Sequence, residues 1–295
     1  MCIRDSSKFG SLKTAGPDEI KPIVLQKLPQ STIKRITRIY RASIELGYMP
    51  NEWKRSEVVF IPKPGKDNYQ KAKSFRPISL TSFLLKGLER IVGWHLENTI
   101  LKASPISDWQ HGFKRERSTE TAILTTVDRL ESSILRGGFG MGAFLDIQGA
   151  FDSLVPDKAI EAMERKGFPP WFLSWYDKFL KDRTASATYK GAKVMRYLSK
   201  GTPQGDVLST LIWNILYDPM LYKINTETAC KATGFADDGS IIQIGPDLTV
   251  IRDQIQQAVN CAVKWGEENG MKFNCLLYTS PSPRDGATSR MPSSA

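Results

Sequence analysis

The chain has 295 residues, of which 41% are hydrophobic, so it is long enough for about two domains with buried cores. Lys and Arg outnumber Asp and Glu by 41 to 31, and the resulting net charge of +10 favours a polyanionic partner, above all nucleic acid. No apolar run is long enough to cross a bilayer and no signal-peptide core follows Met1, so the composition predicts an intracellular protein without a membrane partner.

The first half of the chain is predicted to be mainly helical. Apolar residues at helical spacing predict helices that begin at Ser31, at Ser82 and at Ser118. His95 falls on the apolar stripe of the second helix, which favours a packed histidine over a metal ligand. The apolar run 57–62 lies between the first two helices and is typical of a strand.

The second half mixes short strands with helices. Its central feature is a predicted hairpin around Asp237 and Asp238, which is followed by a long helix and a closing strand. When the inserted helices and one inserted hairpin are set aside, the order is β-α-β-β-α-β, which predicts a four-stranded antiparallel sheet backed by two helices. The predicted elements are a strand at 142–147, helices at 156–166 and 171–180, a hairpin at 184–198, helices at 205–220 and 248–265, and a strand at 271–274.

The two ends of the chain lack any structural pattern. Residues 276–295 include five Ser and three Pro and show no apolar period, which predicts a disordered tail. Residues 1–14 are likewise expected to be disordered or foreign to the native protein. We interpret both ends as segments that do not belong to the folded domains.

Adjacent carboxylates at Asp237 and Asp238 are the most informative local feature. They lie between the apolar runs 231–236 and 240–244, and Asp238-Gly239 is a favoured two-residue hairpin turn. Two like charges at a hairpin tip repel each other unless a cation lies between them. An exposed acidic turn is the simpler alternative, and the pair alone does not decide between the two.

A third carboxylate, Asp146, follows the apolar residues of the strand at 142–147. In the predicted strand order this strand lies beside the hairpin, so Asp146 can reach the Asp237–Asp238 tip, although a lone Asp there could also cap the next segment. Three carboxylates at one sheet edge can hold two divalent cations ~3.5–4 Å apart, as in two-metal phosphoryl transfer. Mg²⁺ suits such all-oxygen ligation. The four separated cysteines and two histidines argue against structural zinc and most histidine-based sites.

A series of motifs extends these observations over residues 15–274. Each motif alone is weak, whereas their joint order and spacing are specific. They are AGPDEI (15–20), W-K (53–54), VVFIPKPGK (58–66), FRPISL (75–80) with Lys86 and Glu89, QHGFKRERST (110–119), FLDIQGAFD (144–152), GTPQGDVLS (201–209), GFADD (234–238) and the segment 265–274. Together they resemble the reverse transcriptase domain of non-LTR retrotransposons. FADD combined with PQG favours reverse transcriptases over viral RNA-dependent RNA polymerases.

The resemblance implies an α+β fold with the fingers and palm of a right-hand polymerase. The fingers would cover 15–141 and the palm 142–275, with the hairpin insertion near 184–198. The palm would be the βαββαβ antiparallel sheet backed by helices.

The resemblance also implies the residues of the metal site. Asp146, Asp237 and Asp238 match the catalytic acids that bind two Mg²⁺ ions, for which Mn²⁺ is a possible substitute. Ile147 is grouped with these acids as a metal-binding position.

The nucleotide-binding residues follow from the same resemblance. Lys63 and Arg76 match the finger residues that grip the triphosphate, and charge-assisted hydrogen bonds explain those residue types. Phe151 matches the bulky residue beneath the sugar, where a rigid ring leaves no room for a 2′-hydroxyl. Gln204 and Gly205 match the turn that lines the nucleotide pocket. Without the resemblance, these residues would be assigned to solvated surface, ordinary core and a helix-entry turn.

Several further basic residues are candidates for the template strand. Binding there would be largely independent of sequence and sensitive to salt. For each residue taken alone, solvated surface is the favoured explanation. They are Lys114, Arg115, Arg117, Lys181 and Arg183.

The sequence therefore predicts an RNA-directed DNA polymerase of a retroelement that adds dNTPs to a DNA primer on an RNA template. Cys275 follows Asn274, and the lysine that the family carries a few residues further on is missing. The thumb and the endonuclease of the larger polyprotein are missing too, so we expect weak activity or none. Two alternatives stay open: a non-catalytic RNA-binding remnant, and a reverse transcriptase of the group II intron maturase type.

Overall fold

The structure is a computed structural model that describes residues 9–135 and 137–280. These residues combine helices and strands, as predicted, and form two compact units. Within the described residues the first unit comprises 9–105 and 149–216, and the second comprises 106–148 without residue 136, and 217–280. The units therefore alternate along the chain. The assignment of residues 15–141 to fingers and 142–275 to palm stays a prediction.

Helices dominate the first unit. Helix α9 begins in the first unit and ends in the second, because the division between the units falls at Leu216, inside this helix. The helices of the first unit are α1 (Pro22–Gln26), α2 (Gln30–Glu45), α3 (Phe83–Asn98), α4 (Ile100–Ala103), α6 (Ala150–Ser153), α7 (Pro156–Arg165), α8 (Pro170–Leu180) and α9 (Val207–Glu227), and α5 belongs to the second unit. The predicted helix from Ser82 is confirmed as α3. The Ser82 side chain caps it by accepting from the amides of Leu84 and Leu85.

Aromatic side chains of α8 form the centre of the first unit's core. Trp175 and Tyr176 are fully buried, and the indole of Trp175 donates to the Ser43 hydroxyl of α2 at 3.0 Å. The hydroxyl of Tyr40, also on α2, donates to the carbonyl of Leu84 on α3 at 2.6 Å. Each buried polar tip therefore has a partner, as close packing of such rings requires.

A four-stranded mixed sheet completes the first unit. Its spatial order is β2-β1-β4-β5, with β1 antiparallel to β2 and parallel to β4. The strands are β1 (Arg55–Pro62), β2 (Phe75–Leu80), β4 (Arg183–Tyr189) and β5 (Ala192–Leu198). The predicted strand at 57–62 and the predicted hairpin at 184–198 are confirmed. Strand β2 was not predicted as a strand, because Pro77 argues against a central strand; β2 lies at the sheet edge, where a missing N–H is tolerated.

The second unit is built on four antiparallel strands in the spatial order β6-β7-β3-β8. In chain order the first of these strands, β3, lies between the third and the fourth. The elements are α5 (Thr119–Leu135), β3 (Phe139–Ile147), β6 (Lys231–Phe235), β7 (Asp238–Gly245), α10 (Leu248–Asn269) and β8 (Phe273–Ser280). The predicted placement of the first strand beside the acidic hairpin is therefore observed.

Helix α10 packs on β3 and β7, and its ends follow from the sequence. The Asp247 side chain accepts from the amides of Thr249 and Val250, and Gly270 ends the helix with a φ of 70°. These residues act as a standard N-cap and a left-handed C-cap. The predicted long helix is confirmed and is one turn longer than expected.

Other predicted boundaries also differ from the structure; β3, for example, begins at Phe139 instead of at residue 142. Helix α9 continues through Pro219 to Glu227, because buried Leu221 and Ile224 extend its apolar pattern beyond the proline. Strand β8 runs to Ser280, so residues 276–280, assigned to a disordered tail, pair with residues 140–144 of β3. The long β3 offers backbone partners over that whole stretch. The rest of the predicted tail, and residues 1–8, lie outside the described residues.

In the described part of the chain, no helix combines the length and the apolar character needed to cross a membrane.

Candidate active site

The acidic pair lies at the junction of β6 and β7. Phe235 pairs with Asp238, so the two residues that turn the chain are Ala236 and Asp237. Ala236 takes a φ of 58°, the left-handed value that such a tight turn demands. The predicted turn at Asp238-Gly239 is therefore wrong by two residues. Asp237 is on the turn itself, and Asp238 is the first residue of β7.

A close packing contact explains why the glycine lies in the strand instead of the turn. Gly239 pairs with Gly234 on one side and Leu145 on the other. A Cβ at position 239 would lie 2.6 Å from the hydroxyl oxygen of buried Tyr217, which is closer than packed atoms approach. Gly239 is thus required for close approach and not for turn geometry.

The sheet register brings Asp146 to the same end of the sheet as the pair. Leu145 of β3 pairs with Gly239 of β7, so Asp146 is one residue further along, next to Asp238. Partial desolvation of its carboxyl raises the pKa of Asp238 although the residue is exposed, and the charges of Asp237 and Asp146 raise this pKa further. The three predicted acids are therefore close enough to repel each other. A bound cation would remove that repulsion.

The chemistry of these donors fits a hard divalent cation. Asp146 and Asp238 are exposed and Asp237 is half-buried, so their carboxylate oxygens are accessible. The apolar side chain of Ile147 is buried and cannot coordinate, which leaves only its main-chain carbonyl for the predicted metal role. Within the described residues, no three acid, histidine or cysteine side chains are arranged as a ready-made metal site. Binding thus requires the carboxylates to converge on the ion.

The segment Gln110–Gly112 braces the acidic turn. The side-chain amide of Gln110 donates to the carbonyl of Ala236 at 3.3 Å, and the backbone amide of His111 donates to the carbonyl of Gly234 at 2.8 Å. A Cβ at Gly112 would lie 2.0 Å from the nitrogen of Ala236. Sequence analysis had placed these residues only within the motif at 110–119. Gly112 in that motif could have indicated a close approach of two backbone segments, because glycine has no side chain to obstruct it.

The triphosphate candidates lie on the β1–β2 hairpin of the first unit. Lys63 directly follows β1, and its amide donates to the carbonyl of Ser74 at 2.8 Å. Arg76 pairs with Ile61 in the ladder and is exposed. The register places Lys63 and Arg76 at the same end of this hairpin, so both cations are available to one anionic ligand.

The remaining nucleotide candidates lie together in the first unit. The amide of Thr202 donates to the carbonyl of Phe151 at 2.8 Å, and the amide of Ser79 donates to the carbonyl of Gln204 at 2.9 Å. Gly205 takes a φ of 124°, and a Cβ there would lie 3.1 Å from the carbonyl of Ser79. Hydrogen bonds thus join the Gln204–Gly205 turn to β2 and to the segment of Phe151. All five nucleotide-binding candidates belong to the first unit and the three acids to the second.

The candidates for the template strand differ in burial and in their ion pairs. Lys114 and Arg117 pair with Asp108 at 2.8 and 3.1 Å, and Lys181 pairs with Asp177 at 2.8 Å. Arg183 is only 3% exposed, so its prediction as a template contact is wrong.

The buried guanidinium of Arg183 has internal partners. It donates to the backbone carbonyls of Leu180, Lys200 and Gly201. Arg183 therefore fixes residues 200–201, which lead into the Gln204–Gly205 turn, to the end of α8.

Comparison with known proteins identifies the family. The family model described as "Reverse transcriptase (RNA-dependent DNA polymerase)" matches residues 61–275. The chain belongs to the reverse transcriptase family. This confirms the resemblance inferred from the motifs.

Curated relatives of this reverse transcriptase chain are proteins of non-LTR retrotransposons. It is 25% identical over 274 residues to the "RNA-directed DNA polymerase from mobile element jockey" of Drosophila melanogaster, covering 91% of this chain and 30% of that protein. It is 29% identical over 275 residues to the "Probable RNA-directed DNA polymerase from transposon X-element" of the same species, covering 90% and 30%. A Pol polyprotein of the R1 element of Bradysia coprophila is 24% identical over 274 residues, covering 90% and 26%. The chain thus spans less than a third of the length of these relatives.

Proposed function

We propose that the chain is the fingers-and-palm portion of an RNA-directed DNA polymerase of a non-LTR retrotransposon. It would add dNTPs to the 3′-hydroxyl of a DNA primer on an RNA template. The observation that supports the proposal is the proximity of Asp146, Asp237 and Asp238 at one end of an antiparallel sheet in a member of the reverse transcriptase family. The relatives, all proteins of retrotransposable elements, favour this assignment over a group II intron maturase.

The three acids would hold two divalent cations, Mg²⁺ by preference, through carboxylate oxygens. Such cations, when bound, lower the pKa of an attacking hydroxyl and neutralise charge on the triphosphate and the leaving group. The chain's own contribution is to fix two of the carboxylates on paired strands and the third on a braced turn. Fixing the backbones of these residues limits the ordering that remains when the carboxylates converge on the ions.

The residues of the first unit would bind the nucleotide. Lys63 and Arg76 would donate charge-assisted hydrogen bonds to phosphate oxygens. Gln204 and Gly205 would line the nucleotide, with the turn held by the amide of Ser79. Phe151, whose ring lies 6.0 Å from that of Trp213, would exclude a 2′-hydroxyl by its bulk. The assignment of residues 15–141 to fingers and 142–275 to palm is part of this proposal.

Primer extension by the purified chain on poly(rA)·oligo(dT) with dTTP tests the function. We expect slow incorporation that requires Mg²⁺ or Mn²⁺ and is abolished in the variant Asp237→Asn plus Asp238→Asn. The matched control is Asp253→Asn, an exposed aspartate on α10. Unchanged incorporation in the double variant would overturn the catalytic assignment.

A parallel RNA-binding assay separates catalysis from binding. The double variant should keep the affinity of the wild type for RNA, because a basic surface and not the acids supplies it. Binding of RNA by a wild-type chain that incorporates no dNTP under any metal condition would instead identify the non-catalytic remnant.

A further inference from the structure

Two carboxyl groups are buried together behind the Gln204–Gly205 turn. Glu89 on α3 is 0% exposed, and its Oε2 accepts from the amide of Val207, the first residue of α9, at 3.2 Å. Asp206, the residue between Gly205 and α9, is 5% exposed and accepts from the hydroxyl of Thr81. One carboxyl thus belongs to the turn, and the other holds the amide next to it.

One oxygen of each group has no hydrogen-bond partner among the described residues. They are Oε1 of Glu89 and Oδ2 of Asp206, and both are buried. A buried ionised carboxylate is strongly unfavourable when an oxygen stays unpaired. If both groups were ionised, two buried carboxylate oxygens would therefore lack a hydrogen-bond donor at the same time.

The charged and titratable neighbours do not occupy those two oxygens. Arg183 directs its hydrogen bonds to the backbone carbonyls of Leu180, Lys200 and Gly201. Lys86, 9% exposed, lies with its Nζ 5.0 Å from the centre of the Phe83 ring. Tyr176 is buried beside the cluster, and its hydroxyl contacts Thr202 at 3.5 Å. The cations reduce the repulsion between the carboxyls through space but donate to neither free oxygen.

The protonation equilibria agree with this geometry. Burial raises the pKa of Asp206 to about 6, against the opposing hydrogen bond of Thr81 and the charges of Lys86 and Arg183. Burial, and then the charge of Asp206, raise the pKa of Glu89 well above its ordinary value. Burial thus shifts both carboxyls toward the protonated form.

The pair is connected to the turn through the backbone. Gln204 is held by Ser79, and Gly201 by the amide-to-carbonyl bond to Leu154 and by Arg183. At the far end, the only side chain among the described residues that accepts from the amide of Val207 is Glu89. Repulsion between Glu89 and Asp206 therefore weakens the hydrogen bond from the Val207 amide to Glu89, which holds this end of the turn.

We propose that Glu89 and Asp206 hold one proton between them and act as positioning residues that fix the Gln204–Gly205 turn, so that loss of this proton loosens the turn and weakens dNTP binding. The link to dNTP rests on the proposed polymerase function. The shared proton and the rigidity of the turn do not.

Hydrogen exchange of the backbone amides of 204–209 in the full chain, without substrate, tests the rigidity. After correction for the intrinsic exchange rate, the wild type should lose roughly tenfold in protection for each pH unit above the pKa of the pair. Glu89→Gln keeps the size, can donate to Asp206 and cannot ionise, so its protection should stay high and independent of pH. Glu89→Ala should be poorly protected at every pH. Glu97→Gln, an exposed change on the same helix, should match the wild type.

Two outcomes would overturn the proposal. Loss of as much protection in Glu89→Gln as in Glu89→Ala would mean that an ionised Glu89 caps α9. One pH dependence shared by the wild type and Glu89→Gln would mean that no shared proton exists. If Glu89→Ala does not fold, the comparison of pH dependences still decides. Asp206→Asn, whose amide can donate to Glu89, should then be protected independently of pH like Glu89→Gln, and a wild-type pH dependence in Asp206→Asn would contradict the shared proton.

Primer extension gives the functional readout. The KM for dTTP of the wild type should rise at alkaline pH while kcat changes little, and the KM of Glu89→Gln should stay constant. A parallel fall of kcat in both proteins would contradict a positioning role. A wild type that incorporates no dTTP would count against the polymerase proposal alone, because the exchange experiment decides the proton pair without it.

Discussion

The side-chain amide of Gln110 donates to the carbonyl of Ala236 at 3.3 Å, so a residue far away in the chain holds the turn that carries Asp237. Gln110 is 0% exposed, and its own Oε1 accepts from the amide of Gly112 at 2.9 Å. Both ends of one amide therefore have a partner. A segment distant in the chain thus helps to fix the acidic turn.

Removal of this brace should impair catalysis more than folding. In Gln110→Ala the carbonyl of Ala236 and the amide of Gly112 each lose the hydrogen bond to this side chain, which costs ~1–3 kcal/mol of unfolding free energy. We expect a larger effect on incorporation, about tenfold or more in kcat, because a carboxylate displaced by a fraction of an ångström no longer meets the ion. Primer extension and urea unfolding measure the two effects.

The exposed Gln256 of α10 supplies the control. Gln256→Ala should leave both kcat and the unfolding free energy within the error of the wild type. A Gln110→Ala protein with wild-type kcat would show that the turn holds its geometry without the brace.

Gly239 should tolerate no side chain unless Tyr217 is shortened. Gly239→Ala places a Cβ 2.6 Å from the Tyr217 hydroxyl and should lose ~1–3 kcal/mol of stability by overpacking. Tyr217→Phe removes that oxygen, so the double variant should regain part of the loss. Urea unfolding of the four proteins gives the coupling energy between the two sites.

Additive losses in this cycle would show that the contact does not constrain position 239. The prediction also extends to function. Position 239 directly follows Asp238 in β7, so a side chain that displaces residue 239 should also displace Asp238. The double variant should therefore recover dNTP incorporation together with stability.

The elements of this fold follow closely from local sequence, whereas the details of the site do not. The helical spacing of apolar residues that begins at Ser82 and the apolar period of α10 predicted those helices, because such signals act within a few residues. The neighbourhood of Asp146 and Asp238 followed from strand order. The turn at Ala236 did not, because Tyr217 determines where Gly239 must lie.

Burial of charged groups was equally hidden from sequence reasoning. Arg183 was assigned to the surface because basic residues are usually solvated, yet carbonyls of the α8 end and of the Gly201 segment enclose it. Glu89 and Asp206 belong to two different motifs, and only the tertiary fold places both at the start of α9. Interactions between distant segments thus set the properties that local patterns cannot report.

The raised pKa of Asp206 should appear in the pH dependence of stability. The folded-state pKa is about 6 against an ordinary 3.8, so the native state keeps a proton that the unfolded chain releases. This contribution is fully present below about pH 4, is lost as the pH rises to about 6, and amounts to at most ~3 kcal/mol. Asp206→Asn should lack it.

Urea unfolding at a series of pH values gives the test as a difference between two curves. The unfolding free energy of the wild type minus that of Asp206→Asn should fall between about pH 4 and 6 and be flatter above. A difference that rises over this interval would mean that Asp206 is stabilised as a carboxylate, and the sign of the proposed effect would be wrong.

Phe151 should control the choice between dNTP and rNTP. If its ring occupies the space of a 2′-hydroxyl, Phe151→Ala removes the obstruction, and rNTP incorporation should rise relative to dNTP. Discrimination by pocket contacts of this kind is worth about 10–200-fold, which sets the expected fall in the ratio of kcat/KM values. The measurement is the ratio of kcat/KM for dTTP and UTP on the same primer and template.

Phe168, buried in the helical core of the same unit, offers a comparison: Phe168→Leu should change stability but not the ratio. A Phe151→Ala protein that still rejects UTP as strongly as the wild type would remove Phe151 from the nucleotide pocket.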